Sequence, residues 1–210
     1  ISPDVIVFAV KPQMMESVAP IYKKFTPKGA LFISIAAGVT IGFFKSRLGV
    51  EAAVVRCMPN LPASIRRGIT GASAGAMVST AQRNQAQQLM EAVGDVVWVE
   101  DEALIDIVTA VSGSGPAYVF LLSEYLAQAG IEAGLPADMS EQLARATICG
   151  AGALLDRSTE NAGTLRRNVT SPGGTTAAAL DVLMAEDGLS QLMRKAIARA
   201  TARSRELSVD

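Results

Sequence analysis

Three short, almost unbroken apolar runs limit what this chain can become. VIVFAV (5–10), ALFISIAA (30–37) and AAVVRCM (52–58) are each one strand long, and none alternates with polar residues. Strands that read this way are covered on both faces, the condition of a parallel sheet flanked by helices. Helical stretches lie between them. Around 13–25, Met14, Met15, Val18, Ile21, Tyr22 and Phe25 recur at helical spacing. Thr40 is placed to cap a short helix over IGFFKSRL, and Gly49 to stop it. A Pro-rich loop (58–68) and a weak strand, ITGASAG, follow. Ser79 with Gln82 makes a capping box for a helix carrying Leu89, Met90 and Val93 and ending at Gly94. VVWVE (96–100) is the last expected strand. This alternation predicts an α/β fold with a mostly parallel sheet.

Beyond Glu100 the pattern becomes all-helical. No strand is expected from 102 to 210. Leu104, Ile105, Val108 and Val111 share one helix face. Long helices are expected through AYVFLLSEYLAQAGIEAG and SEQLARATICGAGALLDRS. The last helix, from about 188, aligns Leu189, Leu192, Met193, Ala196, Ile197 and Ala200. The expected division is residues 1–100, α/β, and 101–210, all-α. The Ala- and Gly-rich helix around 143–155 suits a bundle, a subunit interface or close packing within one chain.

Composition removes several function classes. The 210 residues carry 19 Lys and Arg against 20 Asp and Glu, a net charge of −1, which gives no electrostatic footprint for nucleic acid. The strictly apolar runs are too short to cross a bilayer, so no membrane is expected. There is no histidine, which excludes Ser-His-Asp and Cys-His catalysis and every His metal ligand. Cys57 and Cys149 are far apart and lack CxxC spacing, so no metal is expected and a reducing cytoplasm is the default compartment. The chain opens without Met, directly into a buried-type strand, and an upstream segment is expected.

Candidate chemistry lies at the strand ends, where open parallel sheets bind ligands. VKP, AAG (36–38), CMPN (57–60) and the loop near 69–75 are each small or rigid. Singly they read as ordinary strand-to-helix turns; together, three such ends in register favour a nucleotide site more than any one does. In SGSGPAY (112–118), Gly113 and Gly115 allow close approach of a ring or another backbone, although the sequence alone favours a helix-to-helix elbow. SPGGTT (171–176) is the sharpest signal. Its glycines precede a helix start, where unpaired N–H groups favour an anion. Thr175 or Thr176 could cap that helix, and one hydroxyl would then remain for a ligand. Glu102 opens the first helix after the sheet, where a solvated helix start is the ordinary reading.

Taken in order, VKP, SIAAGVTI, VVRCMPN, LIDIVTAVSGSGPAYVF and NVTSPGGTTAAAL resemble the pyrroline-5-carboxylate reductase family over nearly the whole chain. The resemblance implies the C-terminal portion of a Rossmann-type sheet followed by a helical dimerisation domain. It implies an NADP (or NAD) cofactor, pyrroline-5-carboxylate as substrate and proline as product. It implies at least a dimer through the helical domain, often assembled further into decamers. Ala9, Val10, Lys11, Pro12, Ala36, Ala37 and Gly38 would line the dinucleotide. Cys57, Met58, Pro59 and Asn60 would lie near its nicotinamide end, with Ser112, Gly113 and Asn168 also on the cofactor side. Gly173, Gly174 and Thr175 would offer backbone N–H groups to the substrate carboxylate, and Ser171 would also contact the substrate. Thr176, the catalytic candidate, would hydrogen-bond the ring nitrogen; Glu102 and Asn168 would face the substrate.

The family's GxGxxG fingerprint does not occur in this sequence; the resemblance begins at about the fourth Rossmann strand. A non-catalytic dimerisation module with a remnant nucleotide fold is therefore the alternative. β-Hydroxyacid dehydrogenases also pair a Rossmann domain with helices, but they need a lysine on the helix after the sheet. Helix 117–134 has none, and Lys195 is the only lysine after Lys45.

Overall fold

The computed structural model describes residues 2–208. Five strands form one sheet in chain order: β1 (Val5–Phe8), β2 (Leu31–Ser34), β3 (Ala53–Met58), β4 (Gly68–Ala74) and β5 (Gly94–Trp98). β1, β2 and β3 pair in parallel, as do β4 and β5, but β4 runs antiparallel to β3. The connection explains the exception. Only residues 59–67 join β3 to β4, fewer than the dozen or so that a parallel crossover needs. The weak strand expected at 69–75 forms as β4, so this segment is not a loop beside the other strand ends, and the carboxyl end of β4 lies opposite those of β1 to β3.

The region 13–25 is helical, as its apolar spacing predicts, but only α1 (Met15–Val18) is α-helix. Ala19–Lys28 winds as 3₁₀-helix, where Pro20 and Pro27 remove α-helical donors. Three later expectations hold in detail. The Thr40 hydroxyl accepts from Phe43 N at 3.0 Å to start α2 (Ile41–Leu48). Gly49 ends that helix. Both halves of the Ser79–Gln82 capping box are formed at the start of α3 (Thr80–Glu91).

Strand alternation splits the core into two layers. Phe8, Phe32, Phe44, Met15 and Leu48 pack on one face of the sheet. The Phe8 ring stacks on Phe44 at 5.0 Å and meets Tyr22 edge-on at 5.6 Å. Leu31, Ile33, Val55 and Cys57 pack on the other face. After the sheet come α4 (Ile105–Val108), a π-helical turn (Thr109–Gly113), α5 (Gly115–Glu132), α6 (Ala137–Arg157), α7 (Ala162–Asn168), α8 (Thr175–Leu183) and α9 (Leu189–Leu207). Among the described residues no strand follows Trp98, as expected. α7 is an element that the apolar spacing does not predict.

Packing divides the chain into two compact units. The first takes everything to Pro116 together with the C-terminal stretch from Ile197; the second is Ala117–Ala196. Within the second, the Ser140 hydroxyl donates to the Ala127 carbonyl at 2.7 Å and pins α6 to α5. That unit keeps a large apolar surface: Phe120, Leu122, Tyr125, Leu143 and Leu154 are all more than half exposed. α5 keeps one polar stripe, Glu124, Gln128 and Glu132, and the exposed apolar surface on the rest of it asks for cover.

Candidate active site

Small residues gather at the carboxyl ends of the parallel strands. β1 leads into Ala9–Pro12, where the Lys11 carbonyl accepts from Met14 N at 2.9 Å and turns the chain. β2 leads into Ala36, Ala37 and Gly38, where the Ser34 hydroxyl accepts from Ala36 N at 3.3 Å. Gly38 has φ +74°, and a Cβ there would lie 2.7 Å from the Leu207 carbonyl oxygen. Both facts require glycine. Pro12, Ala37 and Gly38 then form one wall of a cleft of about 620 Å³, with Arg203, Ser204 and Leu207 on another. That volume is of cofactor-site size, and its walls combine side chains too small to block a flat ring with a few polar groups. The residues present therefore fit a portion of a dinucleotide.

A second group forms around the π-helical turn. The Asn60 amide oxygen accepts from Ile69 N at 3.0 Å, and its NH₂ donates to the Ser112 hydroxyl at 3.4 Å. A Cβ on Gly113 would lie 2.6 Å from Met58 Cε. The structure thus brings Met58, Asn60, Ser112 and Gly113 together. The turn itself is closed by a Ser114 N to Thr109 O bond at 2.8 Å, and π-helical turns recur at functional sites. Cys57 sits differently. Its side chain is in the second core layer, and burial pushes the thiol up to about 12. It is a packed apolar side chain rather than a reactive one.

Glu102 is not a solvated helix start. Asp101 does the capping, accepting from Ala103 N at 2.9 Å. Glu102 Oε1 instead accepts from Ile41 N at 2.8 Å, at the head of α2, and from Arg56 Nη1 at 2.9 Å. Arg56 is 4% exposed. Its Nη2 lies 4.0 Å from Asp106 Oδ1, and the Ser204 hydroxyl donates to the same oxygen at 2.7 Å. Sequence reasoning passed over Arg56, Asp106 and Ser204. The only local hint was a charged residue inside the apolar run AAVVRCM.

In the second unit, Gly174 is the N-cap of α8 and no side chain caps the helix. Thr175 and Thr176 occupy the first turn, where intrahelical geometry leaves N–H groups without carbonyl partners. Gly173 takes the left-handed φ of +70°. Gly174 N donates to Ser171 O at 3.1 Å, and a Cβ on Gly174 would strike the Ser171 hydroxyl at 2.5 Å. The Asn168 amide donates to Glu160 Oε2 at 2.9 Å.

A Rossmann-type sheet with a cleft at its parallel strand ends, followed by a helical region, fits the class of dinucleotide-binding proteins. Comparison with known proteins narrows this. Residues 102–207 match the family described as pyrroline-5-carboxylate reductase dimerisation. The chain is 45% identical over 205 residues to pyrroline-5-carboxylate reductase of Pseudomonas aeruginosa, covering 98% of this chain and 75% of that protein. Among solved structures, the Coxiella burnetii pyrroline-5-carboxylate reductase superposes with a TM-score of 0.94 at 41% identity, covering 99% of this chain and 77% of that one. The Plasmodium falciparum enzyme, solved with NADP bound, gives 0.84 at 32% identity, with coverage of 98% and 78%. The chain belongs to the pyrroline-5-carboxylate reductase family.

Proposed function

We propose that the start of α8 binds the substrate carboxylate and that the Thr176 hydroxyl serves the nitrogen being reduced. The reaction is that of the family: NAD(P)H-dependent reduction of the C=N bond of 1-pyrroline-5-carboxylate to L-proline. The observation that carries the residue assignment is the glycine-led, uncapped helix start, which presents main-chain N–H groups and a positive helix end to an anion. Gly173 and Thr175 offer their N–H groups directly. That of Gly174 already closes a turn onto Ser171, so it contributes as a shared donor.

The bound dinucleotide supplies the hydride. What remains for the chain is to hold the reacting carbon in place and to settle a proton on nitrogen. A threonine hydroxyl is a weak acid. Thr176 therefore orients an already protonated imine, or relays a proton from water. Ala9–Pro12, Ala36–Gly38, Met58–Asn60 and Ser112–Gly113 belong to the first unit and line the cofactor in this reading, with Cys57 contributing main chain only.

Residues 101–210 serve in our reading as the dimerisation and substrate domain. The run Glu102–Glu132 is long and apolar enough to cross a bilayer by length and composition, a qualification to the sequence expectation. We assign its exposed side chains to a subunit interface because they fall inside the matched dimerisation region. The compartment we propose is the cytoplasm, in keeping with two cysteines that form no disulfide.

The test is an assay of the full-length protein with pyrroline-5-carboxylate and NADH or NADPH, following loss of reduced nicotinamide and appearance of proline. No proline with either cofactor would refute the reading.

A further inference from the structure

The buried guanidinium of Arg56 has no part in the reaction described above, yet it ties together elements that meet at the cofactor cleft. Toward one side it holds Glu102, whose Oε1 also accepts Ile41 N at 2.8 Å. Ile41 is the first residue of α2, and Ala37, Gly38 and Val39 just before it line the cleft. Toward the other side Arg56 faces Asp106, which accepts the Ser204 hydroxyl at 2.7 Å. Ser204 and its neighbours Ala200, Arg203 and Leu207 line the same cleft. Asp106 and Ser204 are 7% and 9% exposed, so the network is shielded from competing water.

We propose that Arg56 is a positioning residue for dinucleotide binding. Through Glu102 it fixes the loop Ala37–Val39, through Asp106 and Ser204 it fixes the C-terminal turns of α9, and the spacing of the two walls depends on both. A lone buried arginine in an apolar strand is costly, and two carboxylates are needed to compensate it. Fold stability alone would be served as well by an apolar residue in β3. The charge allows one side chain to brace two segments that are far apart in sequence. The inference rests on the cofactor reading of this cleft.

The experiment uses the full-length protein and measures NADPH binding directly by calorimetry, beside steady-state kinetics and amide hydrogen exchange. Ser204→Ala removes one hydroxyl and leaves the ion pairs. It is expected to raise the Kd for NADPH roughly five- to tenfold, with a smaller effect on kcat at saturating cofactor. Exchange over 197–207 should quicken in the same variant. Ser204→Thr keeps the hydroxyl and should restore affinity. Arg56→Lys keeps the charge but cannot reach both carboxylates and should act like Ser204→Ala. If Arg56→Lys does not fold, the Ser204 pair decides. A lower Tm with unchanged NADPH affinity in Ser204→Ala would reduce the network to scaffolding and overturn the inference. A wild-type protein that does not bind NADPH would instead overturn the cofactor reading on which it rests.

Discussion

Gly38 can be tested in a way that separates two physical costs. Its φ is +74°, and a Cβ there would meet Leu207 O at 2.7 Å and Leu207 C at 3.3 Å. Gly29 is the natural control: it has φ +76°, and a Cβ there would meet nothing within 4 Å. Gly29→Ala therefore suffers the left-handed conformation alone, about 1–2 kcal/mol, partly offset by a less flexible unfolded chain. For a chain of this length that is a fall in Tm of about 2–4 °C. Gly38→Ala suffers the same conformational cost plus an overpacked contact with main chain that cannot rotate away, about 1–3 kcal/mol more. Its Tm should fall by about 5–12 °C. Gly38→Asn refines the comparison, because asparagine tolerates the left-handed region but still carries a Cβ. It should land between Gly29→Ala and Gly38→Ala. Thermal scans of the three variants under one buffer and protein concentration provide the measurement. A Gly38→Ala no less stable than Gly29→Ala would refute the close approach of Leu207 to the AAG loop, and with it the shape of one cleft wall.

Other expected outcomes concern the site and the assembly. Thr176→Ala should lower kcat/KM for imine reduction by about 10- to 100-fold, the worth of a hydrogen bond to a charged group, while NADPH affinity holds; unchanged kcat/KM removes its role. Gly174→Val must displace Ser171 and should raise the substrate KM, and a normal KM would count against the carboxylate cradle. Thiol labelling near pH 8 should spare Cys57 until unfolding. Since the Cys57 pKa goes from 9.0 to about 12, its neutral form is favoured in the fold. Its contribution is complete below pH 9, and stability should fall as pH rises from 9 toward 12. Phe120→Glu should weaken self-association by about 2 kcal/mol or more, roughly 30-fold, seen as monomer by light scattering. An undiminished dimer would refute assembly through α5.

What could be read in the sequence was local. The Thr40 cap, the Gly49 stop and the Ser79–Gln82 box are decided by residues within one turn of each other, and each formed as read. The strands were legible because burial on both faces leaves no polar alternation. The direction of β4 was not, since strand polarity depends on which edge a short connection can reach. Cys57 was read with its neighbours in CMPN, but strand alternation sends its side chain into the layer opposite Arg56 and Met58.

Arg56 makes the same point at the site. One arginine in an apolar run carries no signal by itself, because its partners Glu102 and Asp106 lie 46 and 50 residues on. Glu102 in turn looked like an ordinary first-turn acid, and only the tertiary fold lets Asp101 take the capping while Glu102 reaches back to Ile41. SPGGTT was different. A glycine-led helix start offers N–H groups to an anion whatever the fold around it, so the proposed cradle was legible as a candidate beside an ordinary capped loop. Its refinement came from the fold: Gly174 is the cap residue, neither threonine hydroxyl serves as the N-cap, and the carbonyl of Ser171 already holds one N–H that a carboxylate would use. A site whose donors are partly engaged at short range binds by exchanging hydrogen bonds rather than adding them. In the proposed reading, selectivity would therefore rest on the second polar end of the substrate, the nitrogen assigned to Thr176.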